Sequence, residues 1–488
     1  MILENGIDLI HGNPTIVKNN SHGFYMYVKY SRPASGKKGQ KLLHSLEKKS
    51  SSIINHAHSV HRDIIGGYRF LNNSRITEPM LVKSLQQQCK HNCEGLHVIG
   101  IQDTTEYNYQ HHLKRLKEDT LGVVGNNSDT GYFAHLMLTF DAVTCLPQGI
   151  SYCQLWSRDR HHKDRHERQY KKLPIEEKES IRWLEAAEQS KTLLKSAKHI
   201  TILSDREGDI YQLWERIPDK KTDFIIRASS NRALFDQAPT VNNLLDRQSI
   251  AGSYTIELKE DKRAKRSRRI ALLNIRYASV KIKKPGNLTK QEAEQDYVPL
   301  MVVEAKEESG NSKSGEPLVH WVLLTTHAVH DFEQACRIID WYGFRWQIEQ
   351  FFRITKRQGI DLERSQLETG EGLKKLGLMG FASALRILQM SLSRDGIVND
   401  NVKKYFGPVE VEVLGLLDVK LKGTTLKQQN PHRKKTLAWA AWIIARLGGY
   451  TGYASQSPPG PITFKWGLDM FSNIIDAYDL LKKDVYKE

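Results

Sequence analysis

Three acids far apart in the chain, Asp103, Asp205 and Glu349, have the residue types and surroundings for phosphoryl chemistry. Asp103 closes an apolar run at 96–103 (LHVIGIQD), and Asp205 follows another at 200–204 (ITILS). Each run reads as a buried β-strand, and α/β folds place their sites at the carboxyl ends of such strands. Glu349 adds a third carboxylate from a helix. Carboxylates gathered at one point suit hard cations, since Mg²⁺ takes oxygen ligands and keeps waters for substrate phosphates. Two such ions about 3.5–4 Å apart activate a water or hydroxyl and stabilise the leaving oxygen of a phosphodiester. Taken singly, each strand-end Asp also fits a turn or helix cap.

The helix that must carry Glu349 is residues 338–359 (IIDWYGFRWQIEQFFRITKRQG), free of Pro, with Gly359 at the expected stop. Wound at about 100° per residue, Tyr342, Arg345, Glu349 and Lys356 fall within one stripe about 60° wide. Phe344, Ile348 and Phe351 fall on the opposite face, which would dock on a core. The stripe offers one carboxylate among two cations and a phenol. A surface ladder of ion pairs has the same spacing.

A net charge of +16 and a pI near 9.4 favour a polyanionic partner, because each neutralised phosphate releases a counterion. An anionic membrane surface is the alternative. No run reaches the roughly 18–20 apolar residues of a spanning helix, and the longest, 437–445, reads as a buried helix. The N-terminus lacks the pattern of a secretory signal. Five cysteines, Cys89, Cys93, Cys145, Cys153 and Cys336, are few and odd in number and fit a reducing cytosol. The expected setting is cytoplasmic, on the nucleoid, without a membrane partner.

The chain is long enough for several domains. Residues 1–95 read as an N-terminal DNA-recognition module, with loop chemistry over 1–35 broken by a brief strand at 24–30. Basic helical sequence runs from 36, and a further helix lies near 77–88. Residues 96–228 alternate strands and helices: strands at 131–141, 149–156 and 224–228, and helices at 174–197 and 208–217. Residues 229–316 read as a β-rich insertion, with strands at 253–258, 270–284 and 298–305. The tract DKRAKRSRR at 261–269 carries six Lys or Arg, as a DNA-tracking hairpin or as a solvated loop. Residues 317–375 return to the core through a strand at 320–326 and the Glu349 helix, and 376–488 form a helical tail. Cys89, His91, Cys93 and His97 lack the second paired half of a zinc finger and read as helix-end and strand residues. His161, His162 and His166 belong to a basic loop.

The spacing Tyr342-x2-Arg345-x3-Glu349-x6-Lys356 resembles the Tyr-Arg-Glu-Lys signature of bacterial insertion-sequence DDE transposases, cut-and-paste enzymes of the insertion-sequence-four type. In the same order stand QDTTEYNY around Asp103, SDREGDIY around Asp205, FIIRA with Arg227, HWVLLTT with Trp321, and WIIARLGGYTGY in the tail. The likeness runs from about residue 66 to the C-terminus, and residues 1–35 depart from it.

The resemblance implies an α/β RNase H-like catalytic core interrupted by the β-rich insertion, with an α-helical N-terminal module and an α-helical C-terminal dimerisation domain. It implies Mg²⁺, or Mn²⁺ in its place, on Asp103, Asp205 and Glu349. Tyr342, Arg345 and Lys356 would grip a strand-end phosphate, Trp321 would stack on a flipped base, and Arg227 would contact DNA nearby. The expected activity is cleavage and strand transfer at the element's ends through a DNA hairpin, by a homodimer on double-stranded DNA. A dimerising inhibitor that binds DNA unproductively, and a plain metal-dependent nuclease on the same core, are the alternatives.

Overall fold

The computed structural model describes residues 61–485 apart from 118–120, 162–172, 237, 259–266, 309–316, 398–399 and 454. The expected strand at 24–30, the basic helical sequence before residue 61, most of the DKRAKRSRR tract, and His162 and His166 therefore lie outside the described residues.

In chain order the elements are α1 (His61–Leu71), α2 (Glu78–Asn92), β1 (His97–Asn108), β2 (Gly131–Asp141), β3 (Pro147–Trp156), α3 (Ile181–Leu193), β4 (His199–Ser204), α4 (Tyr211–Arg216) and β5 (Thr222–Arg227). There follow α5 (Val241–Leu245), β6 (Gly252–Leu258), β7 (Arg269–Lys283), β8 (Tyr297–Glu307), β9 (His320–Thr325), α6 (Phe332–Phe344) and α7 (Trp346–Lys356). Helices α8 (Gly370–Ser393), α9 (Pro408–Lys420), α10 (Leu437–Leu447) and α11 (Pro461–Val485) complete the chain.

Among the described residues all nine strands join one sheet, in the order β3-β2-β1-β4-β5-β9-β8-β7-β6. β1, β2 and β3 form an antiparallel meander, while β4 and β5 run parallel to β1. This mixed five-stranded half, with helices on both faces, fits an RNase H-like core. The strands between β5 and α6 do not form a separate sheet. β9 pairs antiparallel with β5, and β8, β7 and β6 continue the same surface outward.

Alternation along the strands divides the core. Ile99, Ile101, Leu203 and Ile225 face a large apolar cluster shared with α6, α7, α8, α10 and α11. Val98, Ile200, Ile202, Phe224 and Ile226 point the other way, onto Trp183 and Leu184 of α3 and Leu213 and Trp214 of α4. Both faces of the central strands are covered, which is why they read as unbroken apolar runs.

Several elements differ from expectation. The Glu349 helix is two helices, α6 and α7, meeting at Arg345, and α7 ends at Lys356 rather than near Gly359. β1 continues five residues past Asp103, because its outer half keeps pairing with β2 after β4 has stopped. The helix expected from 174 begins at Ile181, preceded by a 3₁₀ turn at Ile175–Glu177. That expected from 208 begins at Tyr211. Among the described residues one helix, α8, is long and apolar enough to cross a membrane, but 78% of its apolar window is buried inside the protein, as suits a core helix. Cys89 and Cys93 are buried with their sulfurs 3.9 Å apart, and His97 stands apart from them at the start of β1.

Helices α10 and α11 approach closely at Gly467, where an added Cβ would lie 1.8 Å from the Ile444 carbonyl oxygen. A backbone atom cannot rotate out of the way as a side chain does. Gly467→Ala is therefore expected to destabilise the fold by about 1–3 kcal/mol, read as a lowered midpoint in thermal or urea denaturation.

Candidate active site

The strand register sets the site. β1 and β4 pair in parallel up to Ile101↔Leu203, and β4 and β5 up to Ser204↔Ile226. Continuing both ladders brings Asp103 level with Asp205, and Asp205 level with Arg227. Asp205 keeps extended backbone (φ −80°, ψ −160°), so the alignment carries past the formal end of β4. Adjacent strands lie about 4.8 Å apart, which sets the two aspartates and the arginine in a row on the face covered by α6 and α7. Gln102 fastens the row from behind, its Nε2 donating to Ser204 Oγ at 2.9 Å.

Each aspartate anchors one oxygen locally. Asp103 Oδ1 accepts from the Thr104 N–H at 2.8 Å, and Asp205 Oδ1 accepts from the Glu207 N–H at 2.8 Å. Asp205 thus does cap the 3₁₀ turn Arg206–Gly208. The cap fixes the carboxylate's orientation and is compatible with a further ligand at Oδ2.

The junction of α6 and α7 closes over this row. Arg345 is almost buried, with Nη1 3.6 Å from Asp103 Oδ2 and Nη2 3.1 Å from Glu349 Oε1. One guanidinium therefore links the strand acid to the helix acid. Tyr342, one turn earlier, is buried rather than presented to solvent as a single-helix stripe predicts. It hydrogen-bonds with Arg227 and meets Trp321 edge-on, with ring centroids 5.4 Å apart. Trp321 lies on β9, two residues from the Leu323 that pairs with Arg227. It is only partly buried.

Lys356 lies two turns beyond Glu349, about 10 Å along α7. Its Nζ stands over the ring of Tyr107 at 5.5 Å, while Thr355 Oγ1 and Tyr107 Oη are 2.7 Å apart. α7 therefore runs beside β1, with Glu349 at the Asp103 end and Lys356 toward the Tyr107 end. The structure brings Asp103, Asp205, Glu349, Arg345, Tyr342, Arg227 and Trp321 to one end of the parallel strands, and holds Lys356 at its margin.

The electrostatics show what the cluster costs. Burial, then the charge of Asp205, raises the Asp103 carboxyl to about 7, against the pull of Arg345. Burial also raises Glu349, opposed by Arg345 and Arg353. Like-charged carboxylates this close resist ionising together unless a cation is present. The donor set, hard oxygens only and short of positive charge, fits a divalent cation such as Mg²⁺.

Sequence reasoning named Arg227 but not the polar cleft beside it. Arg206, which follows Asp205 directly, lines a cleft of about 230 Å³ with Arg227, Ser229, Ser230, Asn231 and His320. The cleft opens beside the row of site residues and is rich in donors suited to an anion. Its only sequence signal was two arginines at the ends of adjacent strands. Asp209, in the same motif as Asp205, is not a ligand candidate. Its Oδ2 accepts from the Ser229 N–H and hydroxyl at 2.7 Å and pairs with Arg232.

Residues 154–385 match the family model described as "Transposase DDE domain". That stretch is thus similar to a transposase DDE domain over just under half of the chain. It contains Asp205, Arg227, Trp321, Tyr342, Arg345, Glu349 and Lys356, and Asp103 precedes it. Among solved structures, the chain is similar to a piggyBac transposase synaptic complex with hairpin DNA, at 11% identity and a TM-score of 0.35. That match covers 75% of this chain and 72% of the other, a likeness too slight to bear on function.

The raised Asp103 carboxyl gives a signed pH dependence in metal-free protein. In the unfolded chain this group ionises near 3.8 and in the fold only at about 7. The folded state therefore holds the extra proton between those values, and stability rises with proton binding to it. The contribution is fully present below about 4 and is lost as pH climbs through about 7. Thermal midpoints of the metal-free protein should fall over this window, and Asp103→Asn should flatten the fall.

Proposed function

We propose that the chain is a DNA transposase that cleaves and joins strands at the ends of an insertion sequence. The observation that carries this reading is the register of β1, β4 and β5, which brings Asp103 level with Asp205 beneath Glu349, the latter two within the stretch that matches a transposase DDE domain. The net charge of +16 supports a polyanionic substrate.

Asp103, Asp205 and Glu349 are the residues that would hold divalent cations. Such ions supply a water or hydroxyl nucleophile at neutral pH and offset charge on the leaving oxygen. The chain's own work is positioning. Arg345, now engaged with Asp103 and Glu349, is placed to reach a phosphate drawn to the acids, and Arg227 and Arg206 flank the same spot. Tyr342 holds Arg227 through its hydroxyl, and Lys356 extends the cationic track along α7. A DNA strand lying across this end of the sheet meets arginines on both sides of the scissile phosphate.

In the first step, water adds at the phosphorus and the 3′ oxygen leaves with a proton, exposing a 3′-OH and a 5′-phosphate. That hydroxyl then displaces an oxygen on the opposite strand, closing a hairpin and freeing the flank. Water reopens the hairpin, and the regenerated 3′-OH attacks target DNA. Every step exchanges one P–O bond for another, so a single set of residues serves all of them. Trp321 offers the aromatic face that an unstacked base at the hairpin tip requires. A homodimer would present two such sites, one for each end.

The test uses purified protein, Mg²⁺ and DNA carrying the inverted repeats that flank the gene. Asp205→Ala and Glu349→Ala should abolish nicking while leaving DNA binding intact. Nicking that survives either substitution contradicts the assignment, and nicking without any joined product favours a simple nuclease. Trp321→Ala should retain the first nick and lose hairpin product, since stacking on one base is worth about 1–3 kcal/mol.

A further inference from the structure

A second polar cluster occupies the opposite end of the same sheet face. His199 opens β4, Asp223 is the second residue of β5, and His327 follows β9. His199 Nε2 lies 2.8 Å from Asp223 Oδ2, and His327 Nδ1 lies 3.4 Å from the same oxygen. All three groups offer a ligand atom within 4.8 Å of the other two. Donors bound tetrahedrally at about 2.0–2.2 Å lie roughly 3.3 Å from one another, a value that the 2.8 and 3.4 Å to Asp223 bracket. We propose that His199, Asp223 and His327 form a site for one Zn²⁺ ion, with the fourth position left to water.

The surroundings are those of a metal-binding histidine. A ligating imidazole holds its second nitrogen on an outer partner, which fixes the ring and its tautomer. His327 does so: its Nε2 is 2.9 Å from Thr201 Oγ1, leaving Nδ1 toward Asp223. Thr201 Oγ1 is in turn 2.9 Å from His97 Nε2, so a third histidine braces the arrangement from β1. The side chains keep 27%, 19% and 15% of their surface exposed, which gives an ion a way in. Two imidazoles and one carboxylate suit Zn²⁺, whereas Mg²⁺ prefers oxygen alone.

The site is not the catalytic one. His199 and Asp205 are six residues apart on extended backbone, about 20 Å. Its position gives it a structural role. The rings of His97 and His327 pack against Trp341 at 5.3 and 5.1 Å, and Trp341 lies on α6 four residues before Arg345. An ion joining β4, β5 and the segment after β9 would brace the helix that delivers Arg345 and Glu349.

The test separates the two sites by ligand chemistry. Full-length metal-free protein carrying Asp205→Ala and Glu349→Ala is titrated with ZnCl₂ by calorimetry, and with Co²⁺ by absorption. One equivalent of Zn²⁺ should bind and survive excess Mg²⁺, and Co²⁺ should give the intense visible bands of a tetrahedral site. Adding His327→Gln or, separately, Asp223→Asn should weaken Zn²⁺ binding at least 10-fold and remove the Co²⁺ bands. Zn²⁺ should also raise the thermal midpoint of the parent and not of these variants. Absence of the Co²⁺ bands in the parent overturns the proposal without reference to whether the variants fold. Zn²⁺ binding unchanged by both substitutions overturns it as well.

Discussion

Crowding of carboxylates in a half-buried place is the constraint on which the rest of the structure turns. Asp103 and Asp205 come level because β1 and β4 share a register, and Glu349 arrives from α7 across the same face. Left alone, that cluster would be driven to hold protons, and the raised Asp103 carboxyl reflects the pressure. Arg345 relieves part of it by contacting Asp103 and Glu349 together. The hydrogen bond from Thr104 relieves a little more at Asp103. A site this expensive to assemble needs a stiff frame, and a parallel pair of strands with helices on both faces supplies one.

The frame explains why the helix breaks where it does. A continuous helix from Ile338 onward would send Tyr342 and Glu349 along one line. Tyr342 instead turns into the core, against Trp321 and Arg227, and Arg345 bridges the acids from the joint between α6 and α7. The strands added beyond β5 serve the same end. β9 lies against β5 and so brings Trp321 beside Arg227, 94 positions away in the chain. The result is one surface with acids at the centre, arginines around them and an aromatic ring at the rim.

Much of this was legible in the sequence because burial leaves a simple mark. Runs such as LHVIGIQD and ITILS are apolar on both sides, as strands covered on two faces must be, and each leads to its acid. The β6–β9 strands were read to within about two residues from their alternation and turn residues. Long-range pairing left no such mark. Nothing local shows that β6–β8 extend the main sheet, that β1 runs on past Asp103 to meet β2, or that Arg345 spans two acids. His199, Asp223 and His327 are invisible for the same reason: each is a single polar residue near a strand end, and only the order β1-β4-β5-β9 assembles them.

The central claim, that the three acids hold divalent ions against a DNA phosphate, is most directly tested by anomalous diffraction. Crystals of the protein with a cleaved DNA end would be grown in Mn²⁺ and measured on either side of the manganese edge. The account predicts anomalous density touching the carboxylates of Asp103, Asp205 and Glu349 and the strand-end phosphate. A bound DNA end with manganese elsewhere, or with one of the three carboxylates turned away from it, would contradict the account.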